Sequence, residues 1–264
     1  MSKKRVKAIV LRTAGTNNDS ETVIAFKKAG ADVDLMHINR LFSKEADILN
    51  YTLLVIPGGF SYGDDISAGK VFANKLKYRL GKEMEKFIST GRIIIGICNG
   101  FQVLVKAGYL SANADSPITL INNDSGKFEC RWVYLKTGSR KSEVGSFWTK
   151  NLPDIIQLPV AHAEGKFVVS DDAVLKKLEQ NGQVVFKYTD ESGQEAGYPY
   201  NPNGSVGNIA AICNTQGNVL GIMPHPERFI TKYQHPAWQR ERLQEEGIGL
   251  TIFKNAVEYV KNSI

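Results

Sequence analysis

Cysteine is scarce in this chain and never clustered. There are three, Cys98, Cys130 and Cys213, an odd number with no C-x-x-C spacing. A disulfide framework or zinc knuckle is not expected, and no resident metal is read from the sequence; a reducing, cytoplasmic setting fits better. Long apolar runs are also lacking. No window approaches the roughly 20 residues of a membrane span. The start, Met1-Ser2-Lys3-Lys4-Arg5 followed by Val6 to Leu11, is too short for a signal-peptide core, so no membrane role is expected. A concentrated basic stripe is missing despite a net charge of +6. Basic residues sit among acidic ones, as in Arg240-Glu241-Arg242. With no nucleic-acid motif, the charge reads as a solvated surface with mild attraction for anionic ligands. Repeats, low-complexity segments and linkers are absent. The 264 residues, 42% of them hydrophobic, can bury a core without staples, and one domain over residues 1–264 is expected.

What is there alternates strand with helix. Val6 to Leu11 is apolar and β-branched and runs into the turn Gly15-Thr16-Asn17, a buried strand. Asp19-Ser20-Glu21 offers N-cap chemistry for a helix through Val23, Ile24, Phe26 and Lys27, with Gly30 at C′. Val33 to Ile38 and Thr52 to Ile56 read as further strands, the latter stopped by Pro57-Gly58-Gly59. A helical stretch covers Gly69 to Thr90, with a break expected near Gly81. Arg92 to Cys98 is a fourth strand and Asn99 to Ala107 the next helix, ended at Gly108. Near-continuous apolar strands between helices predict an α/β fold, doubly wound, with a mostly parallel central sheet covered on both faces. After about residue 115 strand-like runs come closer together: 118–121, 127–136, 155–160, 167–169 and 184–188. They predict antiparallel additions in the C-terminal half. Ile209 to Cys213 and Val219 to Met223 flank a polar hairpin-type loop, and 250–261 reads as a last helix.

The most informative run is Gly96-Ile97-Cys98-Asn99-Gly100-Phe101-Gln102. A buried strand ends in Gly-x-Cys-x-Gly and a helix starts at once, the logic of a nucleophile elbow. Glycines on either side let strand and helix close around a strained residue. The sulfur then sits at the C-terminal edge of the sheet, where open α/β folds bind ligands, beside a helix N-terminus that favours negative charge. A buried inert cysteine is the competing reading, but apolar packing does not require flanking glycines. For Cys130 and Cys213, core or strand packing is expected.

A thiol nucleophile needs a base. Two of the four histidines occur as His-x-Glu, His162-Ala163-Glu164 and His225-Pro226-Glu227. In an extended chain residues i and i+2 face the same side, so the carboxylate can hold one ring nitrogen and leave the other for the thiol proton. Pro224 and Pro226 hold Met223 and His225 extended, which favours His225; His162 becomes a loop or pocket-wall histidine. His37 and His235 carry no motif and suit surface or packing roles. Gly58-Gly59-Phe60-Ser61-Tyr62-Gly63-Asp64 follows a strand, and its backbone amides can approach a substrate as oxyanion donors. Gly63 to Lys70 comes near a phosphate-loop pattern but has five residues between its glycines and Val71 after the lysine, so it fails.

Gly96 to Gln102 with Met223-Pro224-His225-Pro226-Glu227-Arg228 resembles the class I (triad) glutamine amidotransferases, a flavodoxin-like fold. Gly15-Thr16-Asn17, Gly58 to Asp64, Cys130-Arg131-Trp132, Leu158 to His162 with Glu164-Gly165, and Asn201 to Ser205 narrow the resemblance to the glutaminase subunits of phosphoribosylformylglycinamidine synthase, over about residues 6–230. The resemblance implies Cys98 as nucleophile, His225 as base and Glu227 orienting it. It implies an oxyanion hole from backbone amides near Gly58, Gly59 and Phe60 and at Asn99, Gln102 holding the glutamine, and a pocket wall at Ala161 and His162 to Glu164. It further implies no cofactor in this chain. ATP and magnesium belong on a large synthetase subunit, often joined by a small bridging subunit, to which this chain supplies ammonia for the formylglycinamide ribonucleotide. The sequence departs from the family twice. Asn18 stands where cysteine is common, read here as a matter of local packing. Residues 229–264 form a longer C-terminal extension with a final helix, including His235-Pro236-Ala237-Trp238. Trp132 is either an anchor for a partner or part of the chain's own core. Fold alone leaves open another amidotransferase, another cysteine hydrolase, or a non-catalytic binding subunit.

Overall fold

The computed structural model describes residues 5–110, 117–138 and 144–263. In chain order the elements are β1 (Lys7–Arg12), α1 (Asp19–Lys28), β2 (Asp32–His37), α2 (Asn39–Phe42), β3 (Leu53–Ile56), α3 (Lys70–Ser89), β4 (Ile93–Ile97), α4 (Asn99–Ala107), β5 (Ile118–Ile121), β6 (Glu129–Thr137), β7 (Ile155–His162), β8 (Lys166–Val169), α5 (Asp172–Gln180), β9 (Val184–Thr189), β10 (Ile209–Cys213), β11 (Val219–Ile222) and α6 (Gly249–Ser263).

One sheet has the strand order β2-β1-β3-β4-β11-β10-β9-β6-β7. The first five strands are parallel and the remaining pairings antiparallel. The connection β1-α1-β2 moves one way along the sheet and β3-α3-β4 the other. Right-handed crossovers in opposite directions put their helices on opposite faces. α1 packs with α6, Phe26 standing edge-on to Phe253 at 4.8 Å, and α3 packs with α4. Every residue of β3 and β4 is buried, as a strand covered on both faces requires. The expected mixed sheet is present, with one refinement: β5 and β8 pair with each other in a separate antiparallel sheet.

The expected break near Gly81 is absent. α3 runs unbroken from Lys70 to Ser89, burying Phe72, Ala73, Leu76, Leu80, Met84 and Phe87 along one face. A Cβ at Gly81 would meet nothing within 4 Å. The glycine therefore costs about 1 kcal/mol of helix propensity on an open side, which the buried face offsets. Cys213 is buried in β10, and burial pushes its thiol up to about 12. Cys130 lies in β6 with its thiol exposed, because the strand's alternation turns Glu129 inward instead. Trp132 packs edge-on against Phe229 at 5.1 Å and His235 at 4.6 Å, so part of the C-terminal extension folds back onto β6. Among the described residues no helix is long and apolar enough to cross a membrane.

Candidate active site

Cys98 turns the chain from β4 into α4 with φ 51° and ψ −104°, a conformation that costs a non-glycine residue about 1–3 kcal/mol. The flanking glycines make the turn possible. A Cβ on Gly100 would sit 1.9 Å from the Ile56 carbonyl oxygen, and one on Gly96 2.5 Å from that of Gly100. The Cys98 amide donates to the Ile222 carbonyl at 2.8 Å, and Sγ lies 3.6 Å from the Ala161 oxygen.

β11 runs parallel beside β4, Ile222 opposite Ile97. Both chains therefore leave the sheet at the same edge, and Cys98 and His225 emerge side by side. The His225 amide donates to the Pro159 carbonyl at 2.8 Å, pinning this segment to β7. His225 Nδ1 donates to Glu227 Oε1 at 2.6 Å, with both side chains buried. The carboxylate arrives by a different route from the expected alternation of an extended chain. Pro226–Arg228 form a 3-10 turn that folds Glu227 back onto the ring. With Nδ1 committed, the buried Nε2 has no hydrogen-bond partner among the described residues and is available for proton exchange. Burial draws the His225 pKa down, but its interactions with the Glu227 carboxylate and with Cys98 outweigh it, and the net direction is up. A base so placed can take a thiol proton and return it.

The turn after β3 closes one side. A Cβ on Gly58 would lie 2.9 Å from His225 Cε1, so only glycine lets this backbone rest on the imidazole. The Gly58 carbonyl accepts from the amides of Asn17 and Asn18, both at 3.3 Å, and the Phe60 amide donates to the Gly15 carbonyl at 2.8 Å. The turns after β1 and β3 thus brace each other. Phe60's amide is spent in that bracing and its ring is half exposed.

Ala161 and His162 close the opposite side at the end of β7. His162 Nδ1 lies 3.1 Å from Asn123 Oδ1. Asn123 donates its amide to the carbonyls of Lys127 and His162, which fixes that oxygen as the acceptor for the ring. Burial first, and the neighbouring His225 second, pull the His162 pKa down to about 3. Between that value and the unfolded value near 6.5 the unfolded chain binds a proton that the folded chain refuses. Stability at this site is complete above about pH 6.5 and falls as the pH drops toward 3, by at most about 1.4 kcal/mol per pH unit. Urea unfolding from pH 7 to 4 should show wild type losing stability relative to His162→Gln; a pH-independent difference between the two would refute the neutral, buried ring.

Asn99 and Gln102, buried in the first turn of α4 next to Cys98, are occupied with each other. Asn99 Nδ2 donates to Gln102 Oε1 and to Asp64 Oδ1, both at 2.9 Å, and Gln102 Nε2 donates to the Glu164 carbonyl at 2.6 Å. Asp64 and Lys106 escaped sequence reasoning, and the Glu164 carboxylate, expected as a partner for His162, turns elsewhere. Glu164 accepts from the Ala68 amide and lies 3.8 Å from Lys106 Nζ, tying the loop before α3 to the end of β7. Burial raises the Asp64 carboxyl and lowers Lys106. For Asp64, in a stretch read for its glycines, and for Lys106, on a helix, only charged character hinted at this clasp. Asn18 was also missed: it is not confined to local packing, since its side chain contacts both His225 and Glu227. Among the described residues no group of three or more His, Cys, Asp or Glu is placed to hold a metal ion.

A family model described as a CobB/CobQ-like glutamine amidotransferase domain matches residues 5–260. A phosphoribosylformylglycinamidine synthase subunit PurQ from Dehalococcoides mccartyi is 45% identical over 97% of this chain and 98% of its own length. The Picrophilus torridus protein of the same name is 46% identical over 96% and 98%. A chain in the structure of PurLQS from Thermotoga maritima superposes with a TM-score of 0.72 at 29% identity, covering 97% of this chain and 99% of that one.

Proposed function

Since the chain belongs to the CobB/CobQ-like glutamine amidotransferases and, within them, to the PurQ subunits of phosphoribosylformylglycinamidine synthase, we propose that it hydrolyses glutamine and passes the ammonia to a large synthetase subunit. That subunit, with ATP and magnesium on it and a small bridging subunit beside it, converts formylglycinamide ribonucleotide to the amidine in de novo purine biosynthesis, in the cytoplasm. The observation that carries this reading is the strained Cys98 turn beside a buried His225 whose Nδ1 is held 2.6 Å from Glu227.

The chemistry follows from those atoms. Cys98 Sγ gives its proton to His225 Nε2 and attacks the carboxamide carbon of the glutamine side chain. The carbonyl oxygen becomes an oxyanion, for which we assign the backbone N–H of Gly59 and that of Asn99, at the open N-terminus of α4. His225 returns the proton to the nitrogen as the C–N bond breaks. Ammonia leaves and a γ-glutamyl thioester remains on Cys98. Water, deprotonated by His225, then attacks the thioester; glutamate departs and the thiol is restored. Glu227 orients the imidazole and supports its positive charge throughout. Gln102, Ala161 and His162 form the glutamine pocket.

We further propose that the isolated chain is a poor glutaminase switched on by its partner. Cys98, Asn99, Gln102, His162 and His225 are all buried, and Asn99 and Gln102 spend their polar groups on each other. Glutamine must displace those contacts, which a docking partner can favour. Steady-state hydrolysis should rise about 10- to 100-fold when synthetase, ATP and ribonucleotide are added. Full activity of the chain alone, unchanged by those additions, would sink the switching idea. If glutamine turnover responded instead to the synthetase of a different pathway, the assignment to this ligase would fall.

A further inference from the structure

Asn18 is 1% exposed and precedes α1, yet its side chain makes no capping hydrogen bond. It points instead at the carboxylates around His225. Nδ2 lies 3.0 Å from Glu227 Oε1 and 3.0 Å from Glu21 Oε2. An amide nitrogen carries two hydrogens, and these two carboxylates use both. Turning the amide would set Oδ1 against two carboxylates, so chemistry fixes the orientation. The 3.4 Å contact to His225 Nδ1 is then a neighbour contact, since that nitrogen's own hydrogen goes to Glu227.

Glu227 is fully buried, and its second oxygen has no hydrogen-bond partner among the described residues. Oε1 therefore carries both interactions, one from the imidazole and one from Asn18. A buried carboxylate held by a single bond can rotate about its last torsion; two donors on one oxygen, His225 and Asn18, arriving from positions 207 residues apart in sequence, fix it. Asn18 is itself fixed by its amide on the Gly58 carbonyl and by its own carbonyl, which accepts from the Thr22 amide at 3.1 Å and hydroxyl at 2.6 Å. On the outer side, Glu21 is paired with Arg228 Nε at 3.4 Å.

We infer that Asn18 is a positioning residue for the glutaminase reaction, the donor that holds Glu227 in the orientation from which it aligns His225. This rests on the proposed roles of Cys98, His225 and Glu227. The test uses the assembled synthetase complex and compares glutamine-dependent with ammonia-dependent synthesis. Asn18→Ala removes the donor and should lower glutamine-dependent kcat about 10- to 100-fold with the glutamine KM within about twofold. Asn18→Asp keeps the shape but replaces the donor with an acceptor facing two carboxylates, and should lose more. Asn18→Cys keeps a weak S–H donor and should fall between wild type and Asn18→Ala. Ammonia-dependent synthesis should be unchanged in all three, and each variant should co-elute with the synthetase and keep its wild-type unfolding midpoint within a few degrees, which a folding or assembly defect could not produce. Wild-type glutamine kcat in Asn18→Ala, a loss confined to KM, or equal losses with ammonia overturns the inference. If Asn18→Asp does not assemble, the Ala and Cys variants decide. Cys98→Ala is run beside them: persistent glutamine use there would fell the functional reading, whereas its loss alongside unaffected Asn18 variants would fell only this inference.

Discussion

Cys98→Ala abolishes glutamine-dependent synthesis in the assembled complex while ammonia-dependent synthesis continues. The substitution removes one sulfur, which donates a hydrogen bond to the Ala161 carbonyl at 3.6 Å. The backbone interactions of the turn, the Cys98 amide on Ile222 and the Gln102 amide on the Cys98 carbonyl, do not involve the side chain. Fold and docking surface should therefore survive. Without the sulfur no γ-glutamyl thioester can form, and the oxyanion donors and His225 have no covalent intermediate to act on. Loss of a nucleophile from such a unit costs on the order of 10⁴- to 10⁶-fold. The ammonia arm separates this chain's chemistry from that of the synthetase, because added ammonia bypasses the glutaminase. Glutamine use that persists in the variant, or ammonia-dependent synthesis that disappears from a properly assembled complex, would show the assigned role to be wrong. Retained glutamine use would also reopen the reading as a binding subunit with an unused pocket, which labelling of Cys98 in the wild-type chain by a glutamine-like electrophile would test directly.

The parts of this fold that were legible are those where local chemistry and tertiary contacts agree. Gly96 and Gly100 are needed because strand, elbow and helix backbones nearly touch there, and no other residue relieves that constraint, so spacing alone exposed the turn. The β1, β3 and β4 strands announced themselves because burial on both faces demands continuous apolar residues. α5 went unread. Its nine residues include three charged lysine or glutamate side chains besides Asp172, and bury only Leu178. Its start is set by the Asp171 carboxylate on the amides of Ala173 and Val174, a signal that competes with many similar Asp residues in loops. The pairing of β5 with β8, and the entry of β11 into the parallel sheet next to β4, depend on contacts between distant segments that no local pattern encodes. The same holds at the site. His225-Pro226-Glu227 is readable because its members are neighbours in sequence. Asn18, Asp64 and Lys106 are not, because each finds its partner through the fold: Asn18 crosses from β1 to the turn after β11, and Lys106 reaches from α4 to Ala68 and Glu164.

His225→Ala should lower glutamine-dependent turnover about 10²- to 10⁴-fold, the range of a lost general base, and His162→Gln should cost at least about tenfold less than that. The comparison is a real one, because both histidines lie at the site. Sγ of Cys98 touches the carbonyl of Ala161, next to His162, and both rings have a buried Nε2 without a hydrogen-bond partner among the described residues. What separates them is the group on the other nitrogen. Nδ1 of His225 faces a carboxylate at 2.6 Å, and that of His162 an amide oxygen at 3.1 Å. A carboxylate stabilises the imidazolium that forms when the thiol proton arrives; an amide dipole does so far less. The pKa directions follow, His225 upward through Glu227 and Cys98, His162 downward to about 3 through burial and His225. A ring that protonates only near pH 3 is too weak a base to take a thiol proton at neutral pH, which leaves His162 the pocket-wall role proposed for it. The measurement is kcat for glutamine-dependent synthesis in both variants, with ammonia-dependent synthesis as the control for the synthetase and co-elution with it as the control for assembly. Near-wild-type glutamine turnover in His225→Ala together with a large loss in His162→Gln would reverse the assignment and make His162 the base.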